Sequence, residues 1–289
     1  MHPDARTRFV FLLGDPVEHS LSPRMHNAAF RHQGLNWVYL AARVPADALP
    51  EAVRGLRALG AAGANVTLPH KQAVVPLMDT LSPAAEAVGA VNTIVVRPGD
   101  DGRPRLHGDN TDVAGFLAPL EPRAAGLSGQ PMTVLGAGGA ARAVVYALLR
   151  AFRPARLTVV ARSPERARPW LDAFARHDPD ASLTLASPQA ARDAVRASRL
   201  VVNATPAGMH PHVDQTPWPY PDDFTEQHLV YDLIYTPERT RLLREAAARG
   251  AATLGGLDML IGQAAAAYRQ WTGRPMPLDV VRAALRTGS

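Results

Sequence analysis

The chain of 289 residues has no cysteine. That excludes disulfides, thiolate nucleophiles and cysteine-held metal, so the fold relies on no oxidative cross-link. Long apolar runs are also missing. Met1 to Arg8 is polar, Phe9 to Leu13 is too short for a signal or a span, and nothing approaches the ~18 unbroken apolar residues of a membrane helix. A soluble, cytoplasmic protein without a membrane partner is expected. A basic block is absent too, although the formal net charge is +5. The arginines are scattered among apolar and acidic residues, without the basic run and interleaved aromatics that stack bases, so a solvated basic surface is expected and nucleic acid is not.

Lysine is the scarcest charged residue. Of 31 basic side chains, Lys71 is the only lysine; the other thirty are arginine. A coding bias that turns surface lysines into arginines leaves a lysine where arginine cannot serve. Arginine keeps its proton in any protein, whereas a lysine can give one up. Lys71 closes the polar stretch Asn65-Val-Thr-Leu-Pro-His-Lys71 and is a candidate proton donor and acceptor.

At about 150 residues per domain, the length suggests two domains. Strands are expected at Phe9–Leu13, Trp37–Leu40, Ala64–Leu68 and Val91–Arg97, the last turning back through Gly99–Gly102 into a hairpin arm at Arg105–Gly108. Helices are expected from Pro23, with Ser22 as the N-cap, from Asp47 or Ala48 to Leu59, and from Pro69 to about Met78. From Met132 strands and helices alternate regularly, the pattern of a parallel sheet covered on both faces. Helices Thr240–Arg249, Met259–Thr272 and Leu278–Arg286 close the chain.

Gly136-Ala-Gly-Gly-Ala140 directly follows one of these strands and opens an alanine-rich helix. Glycines there permit a tight turn and close approach of backbone to a pyrophosphate, which the helix N-terminus favours electrostatically. A site for NAD wants an acid at the tip of the next strand, to hold the ribose 2′-hydroxyl. Here the strand ends in Ala161 and runs on to Arg162, Ser163 and Arg166. Guanidinium groups suit a 2′-phosphate, so the expected cofactor is NADP. His210-Pro-His212 lacks a third ligand in any recognisable motif, and no metal is expected.

Four further polar clusters, Ser20-Leu-Ser22, Asn65-Val-Thr67 with Lys71, Asn92-Thr93 and Asp109-Asn-Thr-Asp112, fall at predicted strand ends and suit a small polyhydroxylated ligand. Taken with Gly14 to Pro23, Gly89 to Thr93, Gly136 to Ala140, Asn203 to Met209 and Gly262 to Ala265, they make the whole chain resemble the shikimate dehydrogenase family.

The resemblance implies reversible NADP-linked oxidation of shikimate to 3-dehydroshikimate, in aromatic amino-acid biosynthesis. It also implies that Ser20 and Ser22 hold the substrate carboxylate, that Asn65, Thr67, Asn92, Asp109 and Gln263 bind ring hydroxyls with Tyr235 nearby, and that Lys71 and Asp109 are the catalytic pair. Gly136, Ala137, Gly138, Gly139 and Ala140 would cradle the pyrophosphate and Ala161 to Ser163 with Arg166 the adenosine phosphate; Leu233 and Gly256 would line the nicotinamide pocket. The expected architecture is α/β: a Rossmann-like doubly wound NADP domain at 109–255, and a discontinuous substrate domain at 1–108 and 256–289, with a cleft between them. Quinate or an aminoshikimate as substrate, and a non-catalytic NADP-binding regulatory module, are the alternatives. A monomer or a homodimer fits equally.

Overall fold

The computed structural model describes residues 3–177 and 182–286, with the side chains of Arg166, Arg176 and His177 outside that description. The chain divides into two compact units, Met1–Gly115 with Ile261–Ser289, and Phe116–Leu260.

The first unit is laid out by β1 (Arg8–Gly14), α1 (Ser22–His32), β2 (Trp37–Arg43), α2 (Leu49–Ala58), β3 (Gly63–Val66), β4 (Thr80–Leu81), α3 (Pro83–Val88), β5 (Thr93–Pro98), β6 (Pro104–Asp109) and the start of α4 (Asp112–Leu117). The sheet order is β2-β1-β3-β5-β6-β4. β1 runs parallel to β2 and β3, while β5 lies antiparallel between β3 and β6. On α2 the buried residues Leu49, Val53 and Leu56 fall at spacings of four and three, the helical period that makes one apolar stripe. That stripe joins Leu13, Ala64, Ile94 and Leu106 in a continuous core.

Two local expectations are corrected in this unit. Ser22 is the first residue of α1 rather than its cap, and the preceding Leu21 makes no side-chain cap bond. The segment after Pro69 forms successive turns and a short 3₁₀ turn at Val75–Leu77 instead of an α-helix. Pro76 lacks the N–H that an α-helical turn would use and its ring would clash with the preceding turn, so the helix cannot propagate.

The second unit contains β7 (Met132–Leu135), α5 (Gly139–Phe152), β8 (Leu157–Val160), α6 (Pro164–His177), β9 (Leu183–Ala186), α7 (Arg192–Ala197), β10 (Leu200–Asn203), β11 (Leu229–Asp232), α8 (Arg241–Ala247), β12 (Ala252–Leu254) and the first turn of α9 (Leu257–Thr272). Its sheet order is β12-β11-β10-β7-β8-β9, with every pair parallel. Counted from β7, the order reads 6-5-4-1-2-3, the doubly wound arrangement that binds ligands outside the carboxyl ends of its strands. Strands β7, β8, β10 and β11 are buried at every position, as expected for strands covered on both faces. The remainder of α9, followed by α10 (Leu278–Arg286), belongs to the first unit, where α10 packs on α1. No helix among the described residues is long and apolar enough to cross a membrane.

Candidate active site

In the first unit the polar side chains converge where β3 and β6 end and β5 begins. The turn after β3 carries Lys71, whose carbonyl accepts from Val91 N at 2.8 Å. Beside it the buried His70 donates from Nε2 to the Val44 carbonyl at 2.6 Å, pinning the turn that presents the lysine. Lys71 Nζ then reaches Asp112 Oδ2 at 2.6 Å, with the two side chains 30% and 15% exposed.

The expected pairing of Lys71 with Asp109 is therefore corrected to Asp112. Asp109 is the last residue of β6, and its carboxylate is occupied elsewhere: Ser82 Oγ and Asn110 N donate to Oδ1, and Gln270 Nε2 on α9 donates to Oδ2 at 2.5 Å. Asp112 lies three residues on, in the first turn of α4, beyond the Asn110-Thr111 turn that redirects the chain. Both acids sit in one Gly-Asp-Asn-Thr-Asp run, so spacing does not choose between them. The usable signal is that Asp109 ends a strand before a turn-forming Asn, whereas Asp112 opens a helix, where an acid is favoured.

Asn92 fixes Asp112. Its Nδ2 donates to Asp112 Oδ1 at 2.8 Å, while its Oδ1 accepts from Thr111 N at 2.7 Å and from the hydroxyls of Thr93 and Thr111 at 3.0 Å each. A backbone N–H can only donate, so this amide has one orientation, and among the described residues one of its Nδ2 hydrogens is left over. Asn65 is constrained in the same way. Its Nδ2 donates to the Asn92 carbonyl and to Thr93 Oγ1, both at 3.1 Å, while its Oδ1 accepts from the Tyr39 hydroxyl at 2.8 Å. A carbonyl can only accept, so Asn65 has committed both hydrogens and offers a ligand only an oxygen lone pair.

Tyr39 is a site-supporting residue that the sequence did not disclose. Burial pushes its phenol far above the ordinary value, opposed in part by a hydrogen bond from Ser22. The Ser22 N–H donates to Ser20 Oγ at 3.2 Å. Thr67 packs over Gly14, where an added Cβ would meet its methyl group at 2.3 Å. The structure thus gathers Ser20, Ser22, Asn65, Thr67, Lys71 and Asn92 along the ends of β1, β3 and β5. Gln263 lies in the same unit on α9, and Tyr235, 39% exposed, lies in the second unit beyond β11.

In the second unit the glycine turn joins β7 to α5. Gly136 has φ of 110°, and a Cβ there would meet Thr205 at 2.8 Å; around Gly138 and Gly139 a Cβ would meet nothing within 4 Å. The first glycine is thus required by conformation and the next two leave open space. Gly138 is the N-cap of α5 and supplies no side-chain bond, and the first N–H groups of a helix have no intrahelical partner. Past β8, Ala161 is buried, Ser163 half-buried and Arg162 exposed; the Arg166 side chain lies outside the described residues. Leu233 and Gly256 meet directly, since a Cβ on Gly256 would stand 2.1 Å from the Leu233 carbonyl oxygen. An open glycine turn at a helix N-terminus, with an exposed guanidinium beyond the next strand, fits a dinucleotide carrying an extra phosphate.

Residues 12–94 match the family model described as the shikimate dehydrogenase substrate binding domain, and residues 256–286 match the shikimate 5'-dehydrogenase C-terminal domain. The chain is 62% identical, over 98% of both sequences, to the shikimate dehydrogenase (NADP(+)) of Salinibacter ruber. A shikimate 5-dehydrogenase from Listeria monocytogenes, solved with shikimate and NAD, is similar at TM-score 0.90 and 36% identity, covering 99% of this chain and 98% of that one. Another from Thermus thermophilus, solved with NADP(H) and shikimate, is similar at TM-score 0.83 and 39% identity, covering 97% and 99%.

Proposed function

The chain belongs to the shikimate dehydrogenase family, and we propose that Lys71 and Asp112 handle the proton in its reaction, the reversible NADP-linked oxidation of shikimate to 3-dehydroshikimate. The observation that carries this assignment is the 2.6 Å contact between Lys71 Nζ and Asp112 Oδ2. Oxidising a secondary alcohol removes the hydroxyl proton as hydride leaves the carbon, and reduction returns it. NADP, when bound, supplies the acceptor or donor of that hydride. Lys71 Nζ takes the proton and gives it back, while Asp112, held by Asn92, balances the ammonium charge and keeps the amine aimed.

The remaining polar groups define what the substrate must offer. Asn65 presents an acceptor; Asn92 keeps one free N–H, and Lys71 keeps donors beyond the one given to Asp112. Neighbouring ring hydroxyls, each able to donate and to accept, match that set. Ser20 and Ser22 hold the carboxylate, and Thr67 and Gln263 complete the hydroxyl contacts. In this reading the first unit is the substrate domain and the second the NADP domain, with Gly136 to Ala140 on the pyrophosphate, Ala161 to Ser163 with Arg166 on the 2′-phosphate, and Leu233 and Gly256 beside the nicotinamide. The enzyme works in the cytoplasm as a monomer or homodimer and takes no nucleic acid, in keeping with its scattered arginines.

The test is a side-by-side absorbance assay of shikimate and quinate with NADP and NAD, on the wild type and on Lys71→Ala and Asp112→Asn. Shikimate with NADP should be the preferred pair. Each substitution should lower kcat roughly 10²- to 10⁴-fold, the usual range for losing an acid–base group, with the KM for NADP nearly unchanged. Near-normal turnover in Asp112→Asn would remove it from the chemistry.

A further inference from the structure

Asp109 has a carboxylate with every contact directed at the protein. It accepts from the hydroxyl of Ser82, which also caps α3 by accepting from Ala85 N at 3.1 Å. It accepts from Asn110 N at 2.7 Å, at the start of the turn leading to Asp112. Its other oxygen accepts from Gln270 Nε2 at 2.5 Å, on helix α9. Its own carbonyl takes Asn92 N at 3.0 Å. One side chain therefore joins α3, the turn before Asp112, and a helix that returns from 161 residues further along the chain.

We propose that Asp109 is a positioning residue, a clasp that sets α9 and the Asp112 turn in register for substrate binding. The proposal rests on the proposed active-site reading, in which Gln263 and Asp112 both face shikimate. Gln263 precedes Gln270 by seven residues on α9, almost two full turns, so both project from the same helix face. Fixing Gln270 against β6 fixes the rotation and axial position of that face. Trp271 Nε1, donating to the Ile94 carbonyl at 3.0 Å, supplies the neighbouring anchor, and Asp109 ties the helix to the segment that carries Asp112.

A clasp and a catalytic acid answer differently to substitution. Asp109→Asn keeps an acceptor for Ser82 and Asn110 N, and Gln270 can turn its amide to accept from the new N–H. It should lose no more than about fivefold in kcat/KM for shikimate. Gln270→Glu sets a second carboxylate against Asp109 and should raise the shikimate KM about tenfold or more, with the NADP KM unaltered. The double variant Asp109→Asn with Gln270→Glu pairs an amide with a carboxylate again and should return the shikimate KM toward that of Asp109→Asn. Gln270→Leu, which only removes the donor, covers the case in which Gln270→Glu does not fold, and should raise the shikimate KM several-fold. Asp109→Asn as inactive as Asp112→Asn would overturn the clasp, and so would an unaltered KM in Gln270→Glu or Gln270→Leu, or a double variant without rescue. A wild type that ignores shikimate would instead refute the functional reading itself.

Discussion

His26 lies wholly buried beside Phe30, Tyr268 and Trp271 and flat against the Tyr39 ring at 4.4 Å, and neither ring nitrogen has a hydrogen-bond partner among the described residues. Burial alone pushes its imidazole down to about 3 from 6.5. The sign follows directly. Below pH 6.5 the unfolded chain takes up a proton that the folded chain refuses, so stability is lost as pH falls from 6.5 toward about 3. Between about pH 7 and pH 5 this one residue should remove on the order of 2 kcal/mol. Urea melts of His26→Leu at the two pH values should show that loss reduced by a similar amount, and an undiminished loss would place the acid sensitivity elsewhere. The same ring braces Tyr39, whose hydroxyl orients Asn65, so the variant also reports on how firmly that amide is held.

At the scale of elements, two glycines that look alike in sequence have opposite duties. Gly256 sits so close to the backbone after β11 that a methyl group would overlap the Leu233 carbonyl. Gly256→Ala should therefore destabilise the chain by about 1–3 kcal/mol, as overpacking does. Gly138→Ala meets nothing in the protein, so the melting temperature should hold while the KM for NADP rises. A fall in melting temperature without a change in KM would show that the open space beside α5 is not the cofactor's.

Strands and helices of the doubly wound sheet were legible in the sequence because their strands are continuous apolar runs and their helices repeat every 3.6 residues. β4 and β12, two and three residues long, carry too few side chains for any period to register. The Lys71 turn reads as helix because its apolar spacing suits one, and that spacing outweighs Pro76 until the blocked turn is seen. The pair Asn65 and Asn92 was legible as polar residues at strand ends. Their fixed amide orientations were not, because these depend on Thr111 N and the Asn92 carbonyl, groups that every residue type carries. Tyr39 was hidden in the same way, since a tyrosine inside a strand reads as core.

For the molecule as a whole, the two units are written into the chain unequally. The second is continuous, whereas the first is completed only when α9 and α10 return to it. The expected boundaries at 108/109 and 255/256 compare with divisions at 115/116 and 260/261. The polar run 109–112 bonds back to Ser82 and Asn92 and so stays with the first sheet, a dependence on tertiary contacts that local composition does not record. The solitary ε-amine gives this protein a built-in reporter. Reductive methylation with a ¹³C label should place one dimethyl-lysine signal in the spectrum, at a nitrogen about a third open to solvent and in contact with one carboxylate. Shikimate should shield that nitrogen from the reagent, and NADP alone should not, so occupancy of the substrate site can be followed from a single resonance and without catalysis.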